Sequence, residues 1–305
     1  GFTHANCPVG CHVHPATSTV ALGVTHSCNP YFYNVFRRYL YNNPNKNTYK
    51  ASAIGLQHWA EEVSKFGIGQ QLGIDLPSER KGNLPDKAYY DKRYGENRWK
   101  FSNIYSVSIG EGEILITPLK MANVAAIIAN RGYYYVPHVI AGVGEGKKLD
   151  PIYTTRHETG VAARHFGPVI EGMVGAVEVG TARRSHVEGI TIAGKTGTSQ
   201  NKVGDDHSIY IAFAPADNPQ IAIAVFVEYA GSGGSAAAPI ANLMIEKYLK
   251  GKVTNKGLES GMKSLNLMSK VILPKGLKAP EPVKVDTSKN KKGTSLKTAD
   301  TLIHR

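Results

Sequence analysis

The sequence has no long hydrophobic run, few cysteines and a shortage of acidic residues. None of its apolar stretches approaches the roughly 20 residues that a membrane-crossing helix needs. Three cysteines among 305 residues say little about the redox compartment by their number alone. The chain opens on Gly1-Phe2-Thr3-His4, which is neither an initiator methionine nor a signal peptide. We therefore expect a globular domain that begins inside a longer protein.

Positive charge is concentrated at the C-terminal end. Residues 251–305 carry 12 Lys and Arg against 4 Asp and Glu, so most of the net charge of +12 lies there. This segment is also rich in Pro, Gly, Ser and Thr, a composition typical of disorder. We predict a globular domain over residues 1–250 and a basic, mostly disordered tail over residues 251–305. The rest of the charge does not indicate a nucleic-acid-binding protein, and the tail is either simply solvated or in loose contact with an anionic lipid or polymer.

Possible metal ligands crowd the N-terminal segment. Cys7, Cys11, His12 and His14 lie within eight residues. Zinc binding, a short-loop disulfide and free thiols beside surface histidines all remain open. We assign no metal site and no cofactor on this evidence.

The hydrophobic periodicity predicts an α+β domain. Helical spacing of apolar residues predicts helices over four segments, residues 30–40, 118–129, 168–178 and 239–248. In the second of these, Thr117 is the expected N-cap and Leu119 the first inward residue. Alternating patterns over residues 208–215 and 220–229 predict a β-hairpin. Residues 46–105 contain shorter elements that the pattern does not assign.

The most informative motif is Lys195-Thr196-Gly197, which continues to Thr198. It follows the apolar residues 190–192 and so lies on a predicted strand next to the hairpin. A cation and hydroxyls on a rigid strand, beside glycines that let a ligand approach the backbone, suit recognition of a carboxylate and an acyl oxyanion. K-T-G is one of three signatures of a group of serine acyl-transfer enzymes. For an isolated K-T-G, an ordinary lysine at a strand edge is the favoured interpretation.

The second signature, S-x-N, is present as Ser27-Cys28-Asn29 at the start of the first predicted helix. Taken alone, these two polar residues are as compatible with helix capping as with a catalytic role. The third signature, S-x-x-K, would supply the nucleophile. It occurs only at Ser78, Ser199, Ser260 and Ser288, all after the S-x-N, and none of these serines opens an apolar helix that could fix a nucleophile in a core.

Longer strings carry a family resemblance. The chain resembles the transpeptidase domain of class B penicillin-binding proteins, and most closely the elongation type. The matching strings occur in the family's order at residues 27–33, 66–69, 73–77 with Glu79 and Gly82, 109–112, 117–119, 129–132, 137–138, 180–182, 193–200 and 233–240. The resemblance implies a β-lactamase/transpeptidase-like α+β fold, in which helices flank an antiparallel sheet beside a helical subdomain.

The resemblance also implies an activity. Proteins of this family are penicillin-binding D,D-transpeptidases that cross-link peptidoglycan stem peptides through a serine acyl-enzyme, which β-lactam antibiotics trap. We expect the parent protein to act on the periplasmic side of the bacterial cytoplasmic membrane, with a membrane glycan polymerase of the elongation machinery as partner and no nucleic acid.

The same resemblance assigns roles to individual residues. Ser27 would relay a proton between the leaving and attacking amines, and Asn29 would orient the substrate amide. Lys195 would supply positive potential. Thr196 and Thr198, with Gly197 between them, would bind the donor's carboxylate, and the Thr198 N–H would form half of the oxyanion hole.

One departure from the family pattern is severe. In the family, the nucleophilic serine and its lysine precede the S-x-N, but no S-x-x-K stands before Ser27 in this sequence. We therefore expect these 305 residues alone to be inactive. The alternatives are a non-catalytic scaffold with the penicillin-binding fold and a β-lactamase or β-lactam sensor.

Overall fold

The computed structural model describes residues 9–146 and 148–270. The helices in these ranges are α1 (Val20–Thr25), α2 (Asn29–Leu40), α3 (Thr48–Ser64), α4 (Lys87–Tyr94), α5 (Phe101–Ile104), α6 (Pro118–Ala129), α7 (Pro151–Thr154), α8 (Gly167–Glu178), α9 (Ala237–Lys250) and α10 (Lys256–Lys263). Short 3-10 turns cover Tyr105–Ile109, Ala163–His165, Arg183–Ser185 and Met268–Lys270. The strands are β1 (Tyr133–Tyr134), β2 (His157–Glu158), β3 (Ala193–Ser199), β4 (His207–Ala214) and β5 (Ile221–Val227).

A three-stranded antiparallel sheet in the order β3-β4-β5 lies between two groups of helices. Because side chains alternate between the faces of a strand, β4 contributes to two cores. Phe213 packs into a cluster with residues of α1, α6 and α8. Tyr210 and Ala212 pack into another cluster with α9. The predicted antiparallel sheet with flanking helices is thus confirmed, and the predicted helices and hairpin lie within a few residues of their expected positions.

A third apolar cluster forms the predicted helical subdomain. Its buried side chains come from α2 to α5 and the turn that follows, and include Phe36, Leu40, Leu56, Tyr90 and Trp99. It is built largely from residues 46–105, whose elements the sequence pattern did not assign. The hydroxyl of buried Tyr90 is hydrogen-bonded, since it donates to Glu113 Oε2 at 2.6 Å.

Helix α1 packs directly against α8 and thereby places the residues that follow it. The contact needs small residues on α8. A Cβ on Gly172 would lie 2.6 Å from the Ala21 carbonyl oxygen, and one on Gly175 would lie 2.4 Å from Thr25 Oγ1. Because α1 lies close to α8, the residue that follows α1 in the turn, Ser27, lies beside β3 and contacts Lys195.

Helix α6 differs from its predicted orientation, because Lys120 is buried while Leu119 is exposed. The Lys120 ammonium donates to the carbonyls of Arg80 at 2.9 Å and Lys81 at 3.1 Å, as well as to that of Gln70. The inward prediction for Leu119 was therefore wrong. A buried lysine that holds a loop through its carbonyls is satisfied, and no apolar pattern reveals it.

The first 20 residues of the predicted tail, 251–270, are described by the structure and contact the preceding domain. Helix α10 lies within this segment, and the Thr254 N–H donates to Glu246 Oε2 on α9 at 3.1 Å. Lys270 forms an ion pair of 2.6 Å with Asp205. The remainder of the predicted tail, residues 271–305, lies outside the described residues. Among the described helices, none has the length and apolar character required to cross a bilayer.

Candidate active-site cleft

Ser27 occupies a strained turn between α1 and α2. Its φ of 50° is in the left-handed region, which few non-glycine residues adopt. Cys28, not Ser27, occupies the N-cap position of α2, and it makes no side-chain capping bond. The capping interpretation therefore does not describe Ser27. Its hydroxyl instead accepts a hydrogen bond of 2.8 Å from Lys195 Nζ on β3.

Lys195 projects from β3 and is partly buried. Its Nζ donates to Ser27 Oγ and, at 2.7 Å, to the Thr196 carbonyl. Because burial penalises the charged form of an amine, it lowers the pKa of Lys195 to about 8. No carboxylate lies within ion-pairing distance of Lys195 in the described residues. The ammonium is therefore available to an anionic ligand.

A cavity of about 440 Å³ opens in front of β3. All six predicted catalytic and substrate-binding residues line it, together with residues of neighbouring loops: His12, Ser27, Asn29, Ile109, Glu111, Thr181, Lys195, Thr196, Gly197, Thr198, Gln200, Asp206, Ser232, Gly233 and Gly234. The structure therefore brings together side chains that are far apart in the sequence. We refer to this cavity as the cleft.

The hydroxyls of β3 differ in their environment. Thr196 is buried, and its Oγ1 lies 2.6 Å from Thr181 Oγ1, so the two hydroxyls share a hydrogen bond. Thr198 is exposed to the cleft. The amide of Asn29 donates to the Gly10 carbonyl at 2.8 Å. The Thr198 hydroxyl is consequently accessible to a ligand in the cleft, whereas the Thr196 hydroxyl is already hydrogen-bonded to that of Thr181.

The glycines of the strand serve two purposes. Gly194 is a packing residue, since a Cβ there would lie 1.8 Å from the Tyr210 hydroxyl oxygen, so it does not open the backbone to a ligand as the sequence suggested. Gly197 does line the cleft. Behind it, a Cβ on Gly233 would lie 2.5 Å from the Gly197 carbonyl oxygen. The glycines of the 233–240 string thus allow that loop to sit directly on β3.

The three S-x-x-K serines that lie within the described residues do not line the cleft. Ser78 and Ser260 lie elsewhere in the fold, and Ser199 faces a neighbouring cavity on β3. Within the described residues, no S-x-x-K serine therefore faces Ser27 and Lys195.

Among the cleft residues that were not assigned roles from the sequence are Thr181, Glu111 and His12. Thr181 belongs to a family string, and its hydroxyl contact with Thr196 is visible only in the fold. Glu111 lies in another family string, between two glycines. His12 was considered only as a metal ligand, but it lines the cleft, and burial lowers its pKa.

A possible metal centre lies beside Ser27. The ligand atoms of Cys11, His14 and Cys28 lie within 4.8 Å of one another, and Cys11 Sγ is 3.2 Å from His14 Nε2. Two sulfurs and an imidazole are donors that suit zinc, which takes four ligands in structural sites. Of the possible ligands considered from the sequence, Cys11 and His14 belong to this cluster and His12 does not, while Cys28 joins it and Cys7 lies outside the described residues.

The K-T-G lysine and the S-x-N serine are in hydrogen-bond contact in one cleft, and both motifs are signatures of serine acyl-transfer enzymes of the β-lactamase and penicillin-binding group. The model of the penicillin binding protein transpeptidase domain matches residues 9–246. The chain belongs to this family.

Individual relatives agree with this assignment. The chain is 33% identical over 232 residues to the peptidoglycan D,D-transpeptidase MrdA of Acinetobacter baumannii, which covers 69% of this chain and 32% of that protein. The chain spans about a third of the length of the curated relatives that it matches.

Solved structures share the fold. The structure of Pseudomonas aeruginosa PBP2 in complex with WCK 5153 is 28% identical, with a TM-score of 0.63 over 78% of this chain and 50% of that chain. A chain solved for the structural coordination of polymerization and crosslinking by a peptidoglycan synthase complex is 25% identical, with a TM-score of 0.64 over 78% of this chain and 39% of that chain. These matches confirm the class B, PBP2-type resemblance.

Proposed function

We propose that the whole protein is a D,D-transpeptidase of the elongation type, which cross-links peptidoglycan stem peptides through a serine acyl-enzyme. The observation that carries the proposal is the 2.8 Å contact between Lys195 Nζ and Ser27 Oγ on one wall of the cleft. It joins the two signatures that the sequence holds, and the named relatives are peptidoglycan D,D-transpeptidases.

Charge and hydrogen bonding in the cleft suit the roles proposed for its residues. Lys195 has no carboxylate partner among the described residues, so its ammonium is free to attract the carboxylate of the acyl donor. The exposed Thr198 hydroxyl offers that carboxylate a donor, and the Thr198 N–H serves as half of the oxyanion hole. Ser27, whose hydroxyl accepts a hydrogen bond from the Lys195 ammonium, relays a proton between the leaving and attacking amines.

The location and the partner are part of the same proposal. We place the protein on the periplasmic side of the bacterial cytoplasmic membrane, where its substrate lies. Its partner is a membrane glycan polymerase, an assignment supported by the similarity to a chain of a complex that coordinates polymerization and crosslinking.

Labelling of the whole protein with a fluorescent penicillin tests the proposal. We expect a covalent adduct on the wild-type protein and, for Lys195→Ala, a labelling rate lower by about tenfold to a hundredfold, because a charge-assisted hydrogen bond is lost. Lys202→Ala, at an exposed lysine just beyond β3, is the matched control and should label normally. Absence of an adduct on the wild-type protein would favour the scaffold alternative, and rapid release of the adduct by hydrolysis would favour a β-lactamase.

A further inference from the structure

Glu111 stands where three cavities around the cleft meet. It lines the cleft itself, a second cavity of about 470 Å³ beside Asn29 and His12, and a third of about 520 Å³ beside Ser199. The carboxylate is thus shared by the linings of all three cavities. Glu111 has no place in the roles proposed above.

The backbone around Glu111 fixes the direction of its side chain. Gly110 and Gly112 both have a φ of 77°, a conformation that favours glycine. The Glu111 N–H donates to the Ser106 carbonyl at 3.1 Å. A Cβ on Gly112 would lie 2.5 Å from Ser106 Oγ. The loop is therefore held against the preceding turn, and the only side chain it presents to the cleft is that of Glu111.

The carboxylate of Glu111 has no cationic partner. Within residues 9–146 and 148–270 no lysine, arginine or histidine nitrogen lies within 4.0 Å of it, and it accepts a single long hydrogen bond of 3.4 Å from the Gln200 N–H. Burial raises the pKa of Glu111, and the negative charge of Asp206, which also lines the cleft, adds to the rise. Two carboxylates thus repel each other here, and a cation between them would relieve the repulsion.

The cleft holds groups of opposite charge that contact different residues. Lys195 contacts Ser27, whereas Glu111 contacts the Gln200 N–H and is electrostatically coupled to Asp206. In the proposed reaction the acyl donor carries a carboxylate and the acceptor carries an amine, which is an ammonium ion at neutral pH. A donor carboxylate would be attracted by Lys195 and repelled by Glu111 and Asp206, whereas an acceptor ammonium would be attracted by these two carboxylates.

We infer that Glu111 binds the ammonium group of the acceptor and so selects an amine, rather than water or a hydroxyl, to resolve the acyl-enzyme. The inference rests on the proposed function. In the reaction the ammonium first loses one proton to solvent, and its nitrogen then forms the amide bond with the acyl carbon. The ester C–O bond breaks, and the second amine proton ends on the serine oxygen. Glu111 holds the acceptor in place and is not consumed.

Partitioning of the acyl-enzyme tests this role. The whole protein is acylated with an N-acylated thioester that has no amine, and the aminolysis product is measured against the hydrolysis product with increasing glycine. Glycolate, which replaces the amine of glycine by a hydroxyl, is the matched acceptor. We expect Glu111→Gln to need about tenfold more glycine for equal partitioning, since a hydrogen bond to a charged group is lost.

The same variant should leave other steps unchanged. Partitioning to glycolate and the rate of labelling by fluorescent penicillin should stay within about twofold of wild type, because the glutamine amide oxygen can still accept the Gln200 N–H. Glu171→Gln, at an exposed carboxylate on α8, is the matched control and should partition as wild type.

The result has clear alternatives. Unchanged glycine partitioning in Glu111→Gln would overturn the inference. An equal fall for glycine and glycolate, or an equal fall in penicillin labelling, would also overturn it, because each would show that Glu111 supports the cleft as a whole. A wild-type protein that no acyl donor labels would instead refute the proposed function, so the two failures can be told apart.

Discussion

The ammonium of Lys195 donates to the hydroxyl of Ser27 at 2.8 Å, across 168 positions of sequence. Two supports bring them together. The packing of α1 on the glycines of α8 brings Ser27 to the sheet, and the antiparallel pairing of β3 with β4 fixes Lys195 opposite Ile211. Each support lies outside the cleft, so the geometry of the pair depends on the fold and not on local sequence.

Binding of anionic ligands should weaken above pH 8. The pKa of Lys195 is lowered to about 8 by burial, so the ammonium is fully present well below that pH and is lost as the pH rises through it. We expect the second-order rate of penicillin labelling of the whole protein to fall above pH 8, approaching tenfold per pH unit at the steepest. Lys195→Arg keeps its charge at these pH values, and its rate, though lower, should not fall. Parallel profiles for both proteins would contradict this assignment.

The Thr181 hydroxyl should matter through Thr196. The two oxygens lie 2.6 Å apart, and Thr196 is buried. Thr181→Val keeps the shape of the side chain but leaves the Thr196 hydroxyl without this partner, which costs about 1–3 kcal/mol. We expect the labelling rate of the whole protein to fall by about fivefold to a hundredfold. Thr191→Val, at an exposed threonine before β3, is the control and should label at the wild-type rate. Equal labelling rates for the Thr181→Val and Thr191→Val variants would show that Thr181 has no role in the cleft.

The sequence predicted those parts of the fold and the cleft that depend on local pattern. The hairpin, α6, α8 and α9 show clear periodicity, and K-T-G and S-x-N are short motifs on such elements. Residues 46–105 pack their aromatic side chains within a subdomain, so their pattern does not follow a single buried face. Local pattern also fails for Gly194 and Lys120. The environment of Gly194 is determined by Tyr210, and that of Lys120 by three carbonyls that are distant in sequence.

Lys120 should be a major contributor to stability. Its buried ammonium satisfies carbonyls of residues 70, 80 and 81 and lies 3.6 Å from Glu79 Oε1. Lys120→Met leaves these groups without a cation, and removal of one partner of a buried charge cluster costs about 3–5 kcal/mol. Urea unfolding followed by circular dichroism measures this loss. Lys50→Met, at an exposed lysine of α3, is the control and should change the free energy of unfolding by less than about 0.5 kcal/mol. An equally small change in the free energy of unfolding for Lys120→Met would show that water replaces the contacts of the ammonium.

The 305-residue chain alone should not react with penicillin. None of the S-x-x-K serines within the described residues lines the cleft that holds Ser27 and Lys195. A serine hydroxyl needs an adjacent base and a fixed position to act as a nucleophile. We expect no covalent label on this polypeptide under conditions that label the whole protein. A labelled band, mapped by peptide mass spectrometry, would identify a nucleophile among these residues and would contradict the expectation.

The Cys11, His14 and Cys28 cluster should bind zinc. Its ligand atoms lie within 4.8 Å of one another, and the His14 Nδ1 contacts the Pro15 carbonyl at 2.7 Å, which directs Nε2 towards Cys11. Such a second contact on the ring is typical of histidines that bind metal. Native mass spectrometry of the purified chain should show one zinc ion that a chelator removes.

Two variants separate this site from its neighbours. Cys28→Ser should lower zinc affinity by at least about tenfold, since even the loss of an outer contact to a ligand costs that much. His12→Gln is the control, because His12 lines the cleft and is not part of the cluster. Equal zinc affinity of the Cys28→Ser variant and the wild type would exclude the site.

Cys28 directly follows Ser27, so removal of bound zinc should also loosen the Ser27 turn. We expect the chelator to lower the rate of penicillin labelling of the whole protein. An unchanged labelling rate would show that the turn is held by α1 and α2 alone.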